Sequence, residues 1–148
     1  MSVIIRPMEP KDLVEVSEMY LMTNPFTLNR EHVKEWTEKT LNRFPTLCYV
    51  AQEGETLLGA TSGRIKSRLG IIDDLAVKPE HQHKKLGSAL LERALEAYTT
   101  LGAKKVRIEV HFKNASSIPF WYKYGFRLSY CEQDHFGPYQ DAIFLVKG

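Results

Sequence analysis

A predicted strand that passes into a predicted helix through a short basic loop is the feature that most limits what this chain can fold into. Residues 71–77, IIDDLAV, are mainly aliphatic and β-branched, as buried strands are. Residues 87–101 place leucine and alanine at helical spacing, and Gly102 is suited to end a helix. A helix that follows a strand this closely packs on the sheet to which that strand belongs, so the segment favours an α/β or α+β fold.

The other segments extend this pattern without a linker or an internal repeat. Residue alternation predicts further strands in SVIIRPM, TLCYVAQ, TLLGATSGRIKS, KKVRIEVHF, RLSYCEQ and DAIFLVKG, and Gly54 is suited to the turn of a hairpin. Helical spacing or composition predicts helices in PKDLVEVSEMYLM, NREHVKEWTEKTLNRF and SSIPFWYKYGF. The predicted order is strand, two helices, three strands, helix, strand, helix and two strands, which indicates layers of helix around one sheet.

Length and charge narrow the class of protein. A chain of 148 residues is long enough for one domain with a core and too short for two, so residues 1–148 are predicted to form a single domain. A net charge of +2 is too weak to indicate a nucleic-acid partner. No apolar run is long enough to span a membrane and no signal peptide is recognisable, which predicts a cytoplasmic protein with no membrane association. Cys48 and Cys131 belong to no cluster with other ligands, which favours reduced thiols over a disulfide or a metal site.

The basic loop has the composition of an anion site. Residues 77–91 read VKPEHQHKKLGSALL, and the helix that follows begins with unpaired backbone N–H groups and a partial positive charge. Gly87 would let a ligand approach the backbone, while Lys84 and Lys85 add charge that suits a pyrophosphate. A solvated loop before an amphipathic helix would also explain these residues, and the loop by itself leaves both interpretations open.

The loop resembles the acyl-CoA-binding motif of the GCN5-related N-acetyltransferases. That motif reads Gln or Arg, two residues, Gly, one residue, and Gly or Ala, and it follows a strand that ends in an apolar-x-Val step and a Pro. Gln82 matches its first position and Gly87 its last, whereas Lys85 replaces its first glycine. The resemblance implies that the backbone amides of the loop still wrap a pyrophosphate while Lys85 points outward.

A second block, VHFKNASSIPFWYKYGF, resembles the family's later conserved segment. The resemblance implies that Asn114 reaches the pantetheine of the cofactor and that Ser117 lies beside it at a helix start. Many members carry at the position of Trp121 a tyrosine that protonates the leaving thiolate, but an indole N–H is not a usable acid. Trp121 is therefore expected to pack on the pantetheine or the acyl pocket. Protonation is left to water or to a tyrosine such as Tyr130 or Tyr139.

The resemblance covers nearly the whole chain and implies the acyl-CoA N-acyltransferase fold, with a mixed central sheet splayed at the cofactor site and helices on both faces. It implies a set of cofactor-binding residues: Leu75, Ala76, Val77, Gln82, His83, Lys84, Lys85, Leu86, Gly87, Ser88, Asn114, Ser117 and Trp121. It further implies that the Val77 amide polarises the thioester carbonyl and that Asp73 binds the amine or relays its proton. Strand alternation would place Asp73 on the face of Leu75 and Val77, with Asp74 on the other face. One Asp capping a turn and the other pairing with a lysine would be the purely structural alternative.

The expected activity is direct transfer of the acetyl group of acetyl-CoA to a primary amine, without a metal. The acceptor is left open among a small molecule, a protein N-terminus and a lysine, and a homodimer is left open as well. Because Lys85 and Trp121 depart from the family pattern, a catalytically weak CoA-binding sensor or interaction module is the alternative.

Overall fold

The computed structural model describes residues 2–23, 29–82 and 84–148. His83 of the predicted cofactor loop lies outside the described residues. The elements are β1 (Val3–Pro7), α1 (Leu13–Thr23), α2 (Arg30–Arg43), β2 (Tyr49–Glu53), β3 (Thr56–Lys66), β4 (Leu69–Val77), α3 (Leu86–Thr100), β5 (Lys105–His111), α4 (Ile118–Lys123), β6 (Arg127–Glu132) and β7 (Ala142–Lys147). Their order confirms the order predicted from the sequence. No helix in the described part of the chain is long and apolar enough to cross a membrane.

The strands form one mixed sheet in the order β1-β2-β3-β4-β5-β7-β6. Among the described strands, β4 and β5 are parallel and every other neighbouring pair is antiparallel. The parallel pair requires a crossover, which the chain makes through α3. A second crossover runs from β5 through α4 to β6, because β7 lies between these two strands. The crossover through α3 passes directly beside the basic loop.

Alternation along the strands divides the core between the two faces of the sheet. On β2, Tyr49 and Ala51 pack with α3. Val50 packs with α1 and α2, as does Cys48, the residue that precedes the strand. Two buried apolar clusters result, one on each face, which confirms the predicted helices on both faces of a mixed sheet. We refer to these faces as the α3 face and the α1–α2 face.

The sheet opens between its two parallel strands. The register of β4 with β5 runs from Leu69 opposite Lys105 to Ile72 opposite Ile108. Beyond Ile72 and Ile108 no further pairing joins these two strands in the described structure, so their carboxyl halves diverge as a fork. This observation confirms the predicted splay of the sheet.

A β-bulge lies at the base of the fork. On β3, Ser62 is opposite Asp74 and Gly63 is opposite Ile72, so Asp73 is an extra residue with no partner on β3. A bulge reverses the alternation, and both Ile72 and Leu75 consequently pack on the α3 face. The predicted orientation of Asp73 is therefore wrong. Asp73 and Asp74 both point to the α1–α2 face, because the extra residue shifts the pleat by one position.

Candidate active site

A cleft of about 700 Å³ occupies the fork. Its walls come from the carboxyl halves of β4 and β5, the loop before α3, the start of α3, and the segment that leads into α4. Twelve of the fourteen residues predicted for the site line it: Asp73, Leu75, Ala76, Val77, Gln82, Lys85, Leu86, Gly87, Ser88, Asn114, Ser117 and Trp121. Lys84 is exposed and lies outside the lining, with its Nζ 3.3 Å from Nδ1 of His81.

Two backbone amides of β4 point into the cleft. Lys78 N–H donates to the Leu58 carbonyl on β3 at 2.9 Å. Successive amides of a strand point to opposite edges, so the N–H groups of Val77 and Leu75 point away from β3 and toward the fork. Gln82 Nε2 donates to the Val77 carbonyl at 3.2 Å and holds the loop against the same edge. The fork thus exposes backbone donors that a paired strand would consume.

The start of α3 presents a second group of backbone donors. The helix begins at Leu86, and the first N–H groups of any helix have no partner within it. A Cβ added at Gly87 would lie 3.7 Å from the Phe120 ring and 3.9 Å from Val77, which are ordinary contacts. A side chain at position 87 could therefore begin without a clash, so Gly87 does not serve a tight packing requirement, and its small size keeps the start of α3 accessible from the cleft.

Lys85 explains why the family motif carries glycine at its position. Its φ is +63°, in the left-handed region that glycine adopts freely and that every other residue adopts at a cost in free energy. The side chain is exposed, as the outward orientation predicted from the sequence requires. The loop thus adopts at Lys85 a backbone conformation that glycine would adopt without strain.

We expect Lys85→Gly to raise the free energy of unfolding by about 0.5–1 kcal/mol. Relief of the left-handed strain, about 1–2 kcal/mol, exceeds the added entropy of glycine in the unfolded chain. The measurement is urea unfolding, with Lys84→Gly as a control that removes the same charge one residue earlier. A gain of stability in both variants, or in neither, would contradict the assignment of strain to Lys85.

Three carboxylates form the wall of the cleft on the α1–α2 face: Asp73, Asp74 and Glu109. Arg64 Nε lies 3.2 Å from both oxygens of Asp73, and its guanidinium lies 5.6 Å from the centre of the Trp36 ring on α2. Glu109 contacts Nη2 of Arg107 at 3.3 Å. The cleft therefore has an acidic wall on the α1–α2 face, opposite the basic loop and the start of α3.

Asp74 differs from its neighbours because its carboxylate makes no hydrogen bond or ion pair within the described part of the chain. Its backbone carbonyl accepts a hydrogen bond from Thr61 at 2.8 Å. Burial first, and the Asp73 carboxylate second, hold the pKa of Asp74 well above its usual range. Burial also raises the pKa of Asp73, to about 6, although Arg64 opposes the shift. A cation that entered the cleft would relieve this unfavourable clustering of negative charge.

The aromatic residues of the second block have separate positions. Trp121 is 6% exposed, lines the cleft and packs edge-on against Phe126 with ring centres 5.4 Å apart. The Tyr122 hydroxyl accepts a hydrogen bond from Leu128 N–H at 3.0 Å and so points to β6. Tyr130 stacks on Phe144, and neither it nor Tyr139 is part of the lining of the cleft in the described residues.

The family of the chain follows from comparison with known proteins. The model of the acetyltransferase (GNAT) family matches residues 13–126. The chain belongs to this family. The protein is accordingly an N-acetyltransferase, and its co-substrate is acetyl-CoA. Among the described residues, no group of three His, Cys, Asp or Glu side chains is placed to hold a metal ion.

Individual relatives of this acetyltransferase include enzymes with different acceptors. The spermidine N(1)-acetyltransferase of Thermoplasma acidophilum is 30% identical over 145 residues, which cover 86% of this chain and 90% of the relative. The [ribosomal protein bS18]-alanine N-acetyltransferase of Salmonella typhimurium is 25% identical, with 79% of this chain and 83% of the relative covered. The structure of the PaiA N-acetyltransferase from Thermoplasma acidophilum in complex with coenzyme A matches with a TM-score of 0.74 and 26% identity over 99% of each chain.

Glu109 was not among the site residues predicted from the sequence, although a signal for it exists. The strand KKVRIEVHF alternates, so Arg107, Glu109 and His111 share the face opposite its apolar residues. A polar face on a central strand is unusual unless it lines a site. The polar face of this strand points to Glu109 as a site residue only once the fork is known. Without the fork, the same face would be interpreted as solvent-exposed.

Proposed function

We propose that this N-acetyltransferase acetylates a cationic primary amine that carries at least one further positive charge. The observation that carries the proposal is the acidic wall of the cleft, in which the Asp74 carboxylate, with no side-chain partner in the described part of the chain, stands beside Asp73 and Glu109. Asp73 and Glu109 are paired with arginines, but a neutral acceptor would leave Asp74 uncompensated when it displaced water, whereas a diamine or polyamine would pair with it.

Acetyl-CoA is proposed to lie in the fork and to approach from the α3 face. The amides at the start of α3, including those of Gly87 and Ser88, would bind the pyrophosphate, with Lys84 and Lys85 as nearby cations. Asn114 and Ser117 would contact the pantetheine, and Trp121 would form the wall beside it. The other cofactor contacts that the sequence predicts would come from Leu75, Ala76, Gln82, His83 and Leu86. Two features support this placement: the amides of β4 that point away from β3, and the unpaired amides at the start of α3.

The proposed chemistry needs few groups because a thioester is already activated. The Val77 amide predicted from the sequence, together with the Leu75 amide on the same edge, would polarise the thioester carbonyl. The acceptor enters from the α1–α2 face, so the fork is where the two substrates meet. The amine nitrogen attacks the carbonyl carbon, the bond to sulfur breaks, and water protonates the leaving thiolate.

The three carboxylates would divide the work on the amine. We propose that Asp73 and Asp74 bind the positive charges of the acceptor and that Glu109 takes the proton from the attacking nitrogen. Arg64 contacts both oxygens of Asp73, which makes binding of the amine a better role for that residue than relay of its proton. Glu109 lies across the fork from Asp73, one residue beyond the last pair between β4 and β5.

Two relatives support different acceptors. The 30% identical relative acts on spermidine, a polyamine, whereas the 25% identical relative acts on an alanine of ribosomal protein bS18. The acidic wall favours the first class, since the α-amine of a peptide brings a single charge. The CoA-binding sensor stays as a second candidate because Lys85 and Trp121 replace the motif glycine and tyrosine.

We expect 1,5-diaminopentane to be acetylated with a kcat/KM at least about fivefold above that of 1-aminopentane, because a second ammonium group near a carboxylate is worth roughly 1 kcal/mol or more. The matched pair differs in one charge and not in chain length. The measurement is thiol release from acetyl-CoA, extended to spermidine and to a peptide with N-terminal alanine. A preference for the peptide would support an N-terminal acetyltransferase instead. Tight CoA binding without turnover on any amine would support the sensor.

The predictions from the sequence about domain organisation, cellular location and macromolecular partners are proposals as well. Residues 1–148 would form a single acetyltransferase domain, the protein would be cytoplasmic, and it would bind neither nucleic acid nor membranes. A homodimer is left open by the sequence, and sedimentation of the purified protein would test it directly.

A further inference from the structure

We propose that His135, from the loop between β6 and β7, is a positioning residue that holds the Glu109 carboxylate in place for proton transfer. We call residues 133–141 the β6–β7 loop. This inference rests on the proposed role of Glu109, and it adds a residue that no motif of the sequence indicates.

The contacts of His135 join the cleft to the surface. Its Nε2 lies 3.3 Å from Oε2 of Glu109, and its Nδ1 lies 3.0 Å from Oε2 of Glu132. The ring stands edge-on to Phe136, with centres 4.8 Å apart, and to Phe144 at 5.3 Å. The imidazole thus has a carboxylate at each nitrogen, and it donates to both of them when both nitrogens carry a proton.

Glu109 is thereby held at both oxygens. Arg107 Nη2 contacts Oε1 at 3.3 Å, while His135 contacts Oε2. Two contacts from different elements define the plane of the carboxylate, whereas Arg107 alone, from the same strand, would leave it free to turn. The charged groups that face Glu109 and His135 are Arg107 on β5, Glu132 on β6 and Asp73 on β4, and β7 contributes the uncharged Phe144.

The β6–β7 loop is itself well anchored, so it can deliver a fixed side chain. Asp134 N–H donates to Oδ1 of Asp141 at 2.9 Å, and Tyr139 N–H donates to Oδ1 of Asp134 at 2.6 Å. The loop also docks on the end of β5, where His111 Nε2 lies 2.6 Å from Oε1 of Gln140. Lys113 N–H donates to the other ring nitrogen of His111, so Nε2 carries the proton that Gln140 accepts.

The strand end and the loop therefore form one rigid support for the acidic wall. Glu109 and His111 are two residues apart on β5, line the cleft, and contact the loop through His135 and Gln140 respectively. A carboxylate that accepts a proton must be held close to the productive geometry, because small displacements of a reacting group lower the rate steeply. The geometry assigns that function to His135 rather than contact with the substrate.

The test uses the full chain with acetyl-CoA and 1,5-diaminopentane, and compares the parent with Glu109→Gln, His135→Ala, His135→Gln and the double variant Glu109→Gln/His135→Ala. We expect Glu109→Gln to lower kcat about a hundredfold, as loss of a general base does. We expect His135→Ala to lower kcat about tenfold with an unchanged KM for acetyl-CoA, since the carboxylate loses a contact that fixes its orientation.

Two further results separate positioning from a structural role. His135→Gln retains an N–H donor and should recover kcat to within about threefold of the parent. The double variant should be no slower than Glu109→Gln alone, because a positioning residue has no effect once the group it positions is gone. Melting temperatures of all variants control for folding.

Several outcomes would overturn the inference. If the parent is active, Glu109→Gln is slow and His135→Ala is fully active, the positioning role of His135 is rejected. The proposed function is then unaffected. Losses that multiply in the double variant would show that His135 acts independently of Glu109. A fully active Glu109→Gln variant would reject both the base and its positioning residue.

Discussion

Gly87→Asp should raise the dissociation constant for acetyl-CoA by at least about a hundredfold, because two like charges about 4 Å apart near a protein surface repel by several kcal/mol. Gly87 is the second residue of α3, where unpaired amides face the cleft. An aspartate there would satisfy those amides itself and would place a carboxylate where the pyrophosphate is proposed to bind.

The matched control for this prediction is Gly87→Asn, which has the size of aspartate and no charge. The nearest atoms to a Cβ at Gly87 are 3.7 Å away, which is an ordinary contact, so either side chain can begin there without a clash. Titration calorimetry should show a much weaker site for the aspartate variant than for the asparagine variant. Equal weakening would assign the effect to size, and unchanged affinity in both would move the cofactor away from α3.

Asp74→Asn should stabilise the folded protein at pH 8 by about 1–3 kcal/mol, the range for relieving a half-buried carboxylate that has no hydrogen-bond partner among the described residues. Burial raises the pKa of Asp74 in the folded state above its value in the unfolded chain. Ionisation is therefore penalised only in the folded state, and stability falls as the pH rises from the unfolded pKa through the folded one. The gain from asparagine should be small near pH 4 and grow toward pH 8.

A second buried aspartate provides a control of opposite sign. Asp12 is 5% exposed and contacts the Arg6 guanidinium at 2.8 Å and 2.9 Å. Burial alone would raise the pKa of Asp12, but Arg6 and the Glu9 amide outweigh it and lower the pKa. Asp12→Asn should therefore destabilise the protein at pH 8, with a loss that shrinks as the pH falls through the folded pKa of Asp12.

Urea unfolding of both variants at pH 4 and pH 8 measures the two effects. The same Asp74→Asn protein should lose the preference for 1,5-diaminopentane over 1-aminopentane, since a charge that binds the acceptor is removed. A stabilised variant with an unchanged preference would show that Asp74 is buried without a role in acceptor binding. If Asp74→Asn stabilises the protein equally at both pH values, removal of the Asp74 charge is not the cause of the gain in stability.

Local pattern predicted the elements well because their periodicity is a property of neighbouring residues. Alternation in KKVRIEVHF predicted β5, and helical spacing after Gly87 predicted α3, which begins one residue earlier at Leu86. The motif around Gln82 and Gly87 pointed to an anion site, and the structure places both residues in the cleft. The left-handed backbone of Lys85 has no such local signal, since lysine rarely adopts it.

The sequence by itself determined the order of the elements, the family and the loop at the start of α3, since each depends on residues close together along the chain. Only the tertiary structure decided which way the carboxylates face. The bulge at Asp73 exists because β3 pairs with β4 in a shifted register, and register is set by packing between strands rather than by either strand alone. Glu109 and His135 are likewise 26 residues apart and meet only because β7 lies between β5 and β6 in the sheet.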